Sequence, residues 1–555
     1  MPRAATLDPS QYRDSFARDR LPPPELWPDL GPLPAGAAAW PRRVNAAVEL
    51  LDGAVARGFG ERPCLHTVET TWTYRALRDA ADRIAATLVA DYGLEPGNRV
   101  LLRGANSPML AACWFGVLKA GGIAVTTMPL LRARELVAIA AKAAVQIALC
   151  DAALAQELEA ARAACPTLRD IGYFHSAEAH GLEARMARRS AGFADVIPSQ
   201  DDVALIAFTS GTTGRPKATM HFHRDILAIC EGVPRSVLGA TPEDVVAGSA
   251  PLGFTYGLGS LLLFPIRCGA ASVLLERSTA ERLLETVARF RVTILMTGPT
   301  LYRAMTPLAP RFDLSSLRMA CSSGEHLPAA VFDGWRAATG LPLRNLLGST
   351  EMLHAFVATP ADGGPPGSTG AALPGYRVRV VDEAMTPAPP GAIGRLAVQG
   401  PTGCRYLDDP AQQKVYVVDG WNLTGDAFRL DEDGVLWYHA RTDEMIVSSG
   451  YNISGAEVEA ALLEHPAVRE CAVVGIPDPA RGSLVKAFVV PRDPAAADSA
   501  LALALQDFVK AVLAPYKYPR AVEFVASLPL TATGKIQRAA LRAPAPAHPE
   551  EDAAR

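Results

Sequence analysis

Apolar residues recur along this chain in two rhythms. From Tyr74 they fall at helical spacing, with Leu77, Ala81, Ile84, Ala85 and Leu88 on one face. Short apolar runs at 99–102, 123–125 and 146–149 read as buried strands, separated by helical stretches from 108 to 120 and from Arg134 onward. Such alternation predicts βαβ units and a largely parallel sheet, hence an α/β fold. Residues 203–208, Val-Ala-Leu-Ile-Ala-Phe, read as another buried strand. The alternation resumes beyond residue 217, with helices predicted at 225–238, 259–266, 280–290 and 328–339. Strands are predicted at 245–247, 272–275, 293–296 and 317–321. From 367 to 438 the texture changes to short strands with Gly and Pro turns, which predicts a small β subdomain. A smaller α+β unit follows Arg441, opening on the capping box Ser454-Gly455-Ala456-Glu457. No internal repeat is found.

Length and charge narrow the function classes. A chain of 555 residues is too long for one core. Its net charge of −4 provides no broad basic surface, so nucleic acid is excluded as a partner and an anionic substrate must be held by local groups. Nine cysteines without a CxxC pair argue against both a zinc site and a disulfide framework, and most sit among apolar neighbours as inert thiols. The apolar stretch 258–275 is broken by Pro265 and Arg267, too soon to span a bilayer, and the start lacks an apolar signal core. These features predict a cytoplasmic protein with no membrane association.

The richest chemistry follows the 203–208 run. Thr209-Ser210-Gly211-Thr212-Thr213-Gly214-Arg215-Pro216-Lys217 packs two glycines, four hydroxyls and a lysine into nine residues, the composition of a phosphate cradle. A Walker loop is excluded, because Pro216 stands where its second glycine belongs and Ala218 follows the lysine. Downstream come three short polar elements, Gly348-Ser349-Thr350-Glu351, Thr424-Gly425-Asp426 and Arg441-Thr442-Asp443, then Thr533-Gly534-Lys535. Each alone is ordinary turn chemistry.

Together, in this order and spacing, they resemble the adenylate-forming enzymes, which include acyl-CoA synthetases, firefly luciferase and peptide-synthetase adenylation domains. The resemblance covers about residues 45–540. It implies a large N-terminal domain of two parallel-type sheets over 45–441, including the β subdomain, and a small mobile α+β C-terminal domain over 442–540. Residues 1–44 are expected to be a surface segment and 541–555 a disordered tail.

The resemblance also implies roles. The glycine loop (Thr209, Ser210, Gly211, Thr212, Thr213, Gly214) with Lys217 would wrap the ATP phosphates, Thr350 would meet the α-phosphate, and Glu351 would hold Mg2+. Gly324, Glu325, His326, Asn345, Leu346, Leu347 and Gly348 would line the nucleotide, and Asp426 with Arg441 would bind the ribose. Lys535 would stabilise charge as the acyl-adenylate forms. The C-terminal unit would then turn about a hinge at Asp443, bringing Gly450 and Tyr451 to the site for thiol attack by coenzyme A; Gly450 would let the pantetheine arm pass close to the backbone. Two positions depart from the family pattern: Ala218 stands for a glycine, and Leu347 for an aromatic that stacks on adenine.

The acyl pocket would lie between Ala250, Phe254, Tyr256 and Gly257 on one side and Ser349 and His354 on the other. Phe254 and Tyr256 among small residues suit a flat ring. His354 is expected either to face the substrate or to be a core histidine satisfied by a backbone carbonyl. The stretches 256–259 and 348–354 resemble the benzoate-CoA ligase branch, and 14–23 with 216–223 resemble 2-aminobenzoate-CoA ligases. The expected activity is ATP-dependent conversion of a small aromatic acid to its aryl-CoA thioester, with ATP, Mg2+ and coenzyme A; a homodimer is compatible with it. Two alternatives stay open: loading of a carrier-protein phosphopantetheine, and a nucleotide-binding regulator without catalysis.

Overall fold

The computed structural model describes residues 7–37, 39–209, 216–441, 445–448, 451–478, 482–513, 517–531 and 535–542. Of the tail expected at 541–555, residues 541 and 542 end the helix Arg538–Arg542 and 543–555 lie outside the described residues.

A six-stranded sheet is ordered Asp170–Phe174, Ile147–Asp151, Arg99–Arg103, Ile123–Thr127, Val203–Thr209 and Lys217–Phe222. The first five strands are parallel and the last is antiparallel. Its central strands are apolar and buried on both faces, as helices on either side require. A nine-stranded sheet has a parallel centre that includes Val245–Gly248, Ile294–Thr297, Met319–Ser323 and Leu343–Gly348. The helix Pro108–Lys119 is buried along its whole length. Beside it, Tyr74–Tyr92 is capped by the Thr73 side chain, which accepts from the Ala76 N–H, and closed by left-handed Gly93. At the end of the buried helix Lys119 meets three carboxylates, Asp52 at 2.7 Å, Asp82 at 2.8 Å and Asp195 at 3.3 Å. Burial lifts the Asp195 carboxyl to about 6, against the pull of Lys119.

A five-stranded antiparallel unit spans Arg377–Arg441, and a smaller α+β unit follows, its sheet carrying Val468–Asp478 and Gly482–Pro491. The protein is therefore α/β, with a large N-terminal domain built on parallel-type sheets and a smaller C-terminal one. The N-terminal segment has one short helix, Phe16–Asp19, and is pinned to the sheet domain: Asp14 accepts from Asn98 at 2.9 Å and pairs with buried Arg99.

The pattern-derived elements differ from the structure in two places that matter for the site. The chain after the glycine loop turns back as the strand Lys217–Phe222, with Lys217 opposite Thr209, where no strand was expected. The helix expected at 259–266 begins instead at Thr255 and runs through a π-turn to Cys268, so Phe254 is its N-cap. All nine cysteines are free, eight buried and Cys268 half-buried. Burial lifts Cys268 to about 11 and Cys321 to about 12, so these two thiols are poor nucleophiles. Among the described residues no helix is long and apolar enough to cross a membrane.

Candidate active site

Ligands of open α/β sheets gather beyond the carboxyl ends of the strands. Four such ends converge here: Thr209, Gly248, Ser323 and Gly348. Ser210, Gly211, Thr212, Thr213 and Gly214 lie outside the described residues. Thr209 and half-buried Lys217 form the last paired register position of the hairpin that carries them.

The strand Leu343–Gly348 ends in a tight turn. Ser349 Oγ accepts from the Met352 N–H at 3.2 Å, and the Leu353 N–H donates to the Thr350 carbonyl at 3.0 Å. Leu353 adopts φ +69°, and a side chain at Gly348 would lie 2.7 Å from the His354 carbonyl, so glycine is required there. The Thr350 carbonyl also accepts from His221 Nε2 at 2.8 Å. A carbonyl has no proton to give, which fixes the proton on Nε2. His221 is fully buried, and burial first, with Arg405 adding to it, pulls its proton affinity down to about 4 despite nearby Asp225; the ring is neutral. The Tyr406 hydroxyl donates to Glu351 Oε1 at 2.9 Å. Sequence reasoning missed both His221 and Tyr406.

Asp426 and Arg441, expected at the ribose, are register partners on adjacent strands, 3.2 Å apart. Gly425 has φ +78°, and a Cβ there would come within 3.1 Å of the guanidinium. Gly324 also has a left-handed φ, +90°, while Glu325 accepts from Thr300 Oγ1 at 2.9 Å. The His326 ring stacks on Tyr438, centroids 5.0 Å apart at 24°, an aromatic pair not expected from the sequence. Strand alternation divides the next three: Leu346 faces the core, Asn345 Nδ2 donates to the Ser368 carbonyl at 3.1 Å, and Leu347 is half-buried.

Lys535 reaches this cleft from the C-terminal domain. Its own loop is closed by backbone, the Thr531 N–H donating to the Lys535 carbonyl at 2.6 Å and the Lys535 N–H to Thr531 Oγ1 at 3.0 Å. Burial lowers the ammonium's proton affinity, opposed by the carboxylates of Glu325 and Asp426 and assisted by Arg441. Solvent still reaches the side chain, which tempers that fall. Glu325, Asp426 and Arg441 are thus its electrostatic neighbours. Asp443 and Gly450 lie outside the described residues; the Tyr451 backbone opens the strand Tyr451–Ile453.

The opposite side of the turn is closed and aromatic. His354 is 3% exposed, with Phe264 edge-on at 4.5 Å and Tyr256 tilted at 5.6 Å. Its Nε2 meets Ser260 Oγ at 3.2 Å. The Tyr256 carbonyl also influences the ring, without hydrogen-bond geometry at Nδ1. Of the two expectations for His354, then, the core-like surroundings hold, but the partner is a serine hydroxyl. Burial drives its proton affinity to about 3, so it is neutral. The Tyr256 ring is half-buried and its hydroxyl fully so; the hydroxyl lies close enough to Ser260 to feel it electrostatically but has no hydrogen-bond geometry to it. Asn106 fixes the adjoining loop from both ends, its Nδ2 donating to the Ala250 carbonyl at 3.0 Å and its Oδ1 accepting from the Leu252 N–H at 2.7 Å. Gly257 has no room for a side chain, since a Cβ would lie 2.1 Å from the Pro251 carbonyl. Half-buried Ala250 and Phe254 stand at the mouth of this loop. Asn106, Ser260 and Phe264 carried no signal that distinguished them from ordinary core and turn residues.

Comparison with known proteins gives the family of the whole chain. Residues 53–405 match the AMP-binding enzyme family, and 457–535 match the AMP-binding enzyme C-terminal domain. The chain belongs to the AMP-binding enzyme family. It is 35% identical to a benzoate–CoA ligase of Thauera aromatica over 90% of this chain and 96% of that one. A 3-hydroxybenzoate–CoA/4-hydroxybenzoate–CoA ligase of the same organism is 33% identical over 90% of this chain and 97% of its own. The crystal structure of the anthranilate CoA ligase AuaEII in complex with anthranoyl-AMP superposes with TM-score 0.86 and 31% identity, covering 91% of this chain and 97% of that one. A benzoate CoA ligase from Burkholderia xenovorans gives TM-score 0.82 at 32% identity, covering 90% of this chain and all of that one. Within the family the protein falls in the aryl-CoA ligase branch and is an AMP-forming acid–CoA ligase, using ATP and coenzyme A.

Proposed function

We propose that this enzyme activates a small aromatic carboxylic acid, 2-aminobenzoate or a close relative of benzoate, as its acyl-AMP and transfers it to coenzyme A. The observation that carries this reading is the aromatic wall of half-buried Tyr256 with buried Phe264 and His354, where the Tyr256 hydroxyl is itself buried beside Ser260 without closing a hydrogen bond. A flat ring fits such a wall, and a buried polar atom without a partner favours a ring bearing a hydrogen-bonding substituent. The anthranoyl-AMP held by the structural neighbour AuaEII supports the same choice.

In the first half-reaction the acid's carboxylate, ionised at neutral pH, attacks the α-phosphorus of ATP. One P–O bond forms, the bond to pyrophosphate breaks, and no general base is needed. Thr350 meets the α-phosphate and Lys535 stabilises the charge that builds on its oxygens. Asp426 accepts from the ribose, and the stacked His326–Tyr438 pair borders the adenine in place of the missing aromatic at Leu347. Glu351 suits magnesium: its Oε1 is engaged by Tyr406, Oε2 has no hydrogen bond among the described residues, and a carboxylate oxygen is a hard ligand. When bound with ATP, the ion neutralises phosphate charge. The second half-reaction follows rotation of the C-terminal domain about Asp443. The thiol of coenzyme A attacks the acyl carbon, AMP leaves, and Lys535 has no part. A cytoplasmic location, supported by nine free thiols, and a homodimer belong to the same reading.

The test is an AMP-release screen requiring ATP and coenzyme A over benzoate, 2-aminobenzoate, hydroxybenzoates, cinnamates and fatty acids. Turnover of ortho-substituted or unsubstituted benzoates is expected. Turnover of medium-chain fatty acids alone would refute the aromatic assignment.

A further inference from the structure

The strand that leaves the phosphate loop does more than carry Lys217. Alternate residues of Lys217–Phe222 face opposite ways. Ala218, Met220 and Phe222 pack into the core, whereas Lys217, Thr219 and His221 share the other face. His221, at the end of that face, donates to the Thr350 carbonyl. The strand's free edge is covered by residues 405–407: the Met220 N–H donates to the Arg405 carbonyl and the Leu407 N–H to the Ala218 carbonyl, both at 2.8 Å. Thr219 is thereby bridged to Tyr406, whose hydroxyl reaches Glu351. Arg405 is locked from behind by an ion pair to Asp225 at 2.8 Å, both side chains fully buried. Thr350 and Glu351 are thus held by two contacts, one from this strand and one from the segment bridged to its edge.

We propose that His221 is a positioning residue for the cation-binding carboxylate, setting the Thr350–Glu351 turn through the Thr350 carbonyl while Tyr406, registered on the same strand, sets the Glu351 carboxylate. This rests on the roles given above for Thr350 and Glu351. Its function is geometric: the element that presents Lys217 to the phosphates also fixes where the phosphate-bound cation is met, so both charges keep one spacing.

The experiment titrates ATP into the full chain by calorimetry, once with magnesium and once with EDTA. His221→Leu removes the donor, and loss of about one hydrogen bond's worth of positioning should weaken magnesium-dependent ATP binding about tenfold. Binding in EDTA should stay within about twofold. His221→Gln, which can offer an amide N–H near the Nε2 position, should restore most of the difference. Tyr406→Phe should move the magnesium-dependent part in the same direction without touching the strand. If His221→Leu loses affinity equally in magnesium and EDTA, or loses none, the proposal is overturned. Should His221→Leu fail to fold, Tyr406→Phe and His221→Gln decide: unchanged magnesium dependence in Tyr406→Phe, or full loss in His221→Gln, overturns it. No acid is needed for this readout, so a failed acid screen and a failed positioning test are separable outcomes.

Discussion

The two sides of the turn from Gly348 to His354 are built on opposite principles. On the side proposed for the nucleotide, Glu351, Asp426, Arg441 and Lys535 are half-buried or exposed; Glu351 is held by the Tyr406 hydroxyl and Asp426 by Arg441 on the adjacent strand. On the side proposed for the acid, His354, Ser260 and Phe264 are buried with Tyr256 half-buried against them, and ring packing does most of the holding. Charges that must meet a hydrated, mobile ligand need solvent access and a firm anchor. A pocket that selects among rings needs dry walls, where one misplaced polar atom is costly.

This contrast can be broken in order of size. Lys535→Ala should lower pyrophosphate release with the aromatic acid by about 10²–10³-fold, while thioester formation from supplied aryl-AMP stays within about threefold. Equal loss in both assays would mean that Lys535 is not confined to one step. On the sealed side, Gly259→Ala would place a methyl 2.4 Å from His354 Cδ2. Overpacking of this kind costs about 1–3 kcal/mol, so the KM for the acid should rise about thirtyfold with the KM for ATP unmoved. A parallel rise in both would show that the two sides are not independent. Tyr256→Phe should change the preference between 2-aminobenzoate and benzoate by about tenfold, read as the ratio of kcat/KM values. Equal loss on both acids would remove the hydroxyl from recognition.

The smallest effect concerns acid stability. His223 and His354 are held down to about 3 and His221 and His326 to about 4, in each case chiefly by burial. The native protein refuses protons that the unfolded chain takes up below about pH 6.5, so these groups make stability fall as pH drops from about 6.5 toward 4. Asp195, held up to about 6, acts in the opposite sense between about pH 4 and 6, as does Asp52, which burial also raises, while His66 and His439, lowered by burial, add to the four rings. Urea denaturation across this range should show a net fall toward acid. A flat profile would show that these rings are not kept dry.

Much of the nucleotide side was legible because its groups are charged, hydroxylated or glycine, and recur at turns after predicted strands. Lys217, Glu351, Asp426, Arg441 and Lys535 announce themselves by residue type. The sealed side was legible only as aromatic composition, because Phe264 and Ser260 differ in nothing from helix-core residues until the helix is placed against His354. The strand Lys217–Phe222 did carry a signal: polar Lys217, Thr219 and His221 alternate with apolar Ala218, Met220 and Phe222. It was obscured because a glycine loop after a strand leads one to expect a helix, not a return. The helix expected from 259 starts early, at Thr255, and takes in Gly257, while close contact with the Pro251 carbonyl and the His354 ring demands glycine at 257 and 259.

The turn between Thr350 and His354 has a consequence for descent. Glu351 answers to Tyr406, Thr350 to His221, and His354 to Ser260 and Phe264, three residues along but with no shared partner among these. Under the proposed roles, a lineage can therefore alter Tyr256, Ser260 or His354, and with them the acid it accepts, while Thr350 and Glu351 keep their supports. Change of substrate and constancy of the activating step then rest on separate scaffolds that meet within seven consecutive residues, 348–354.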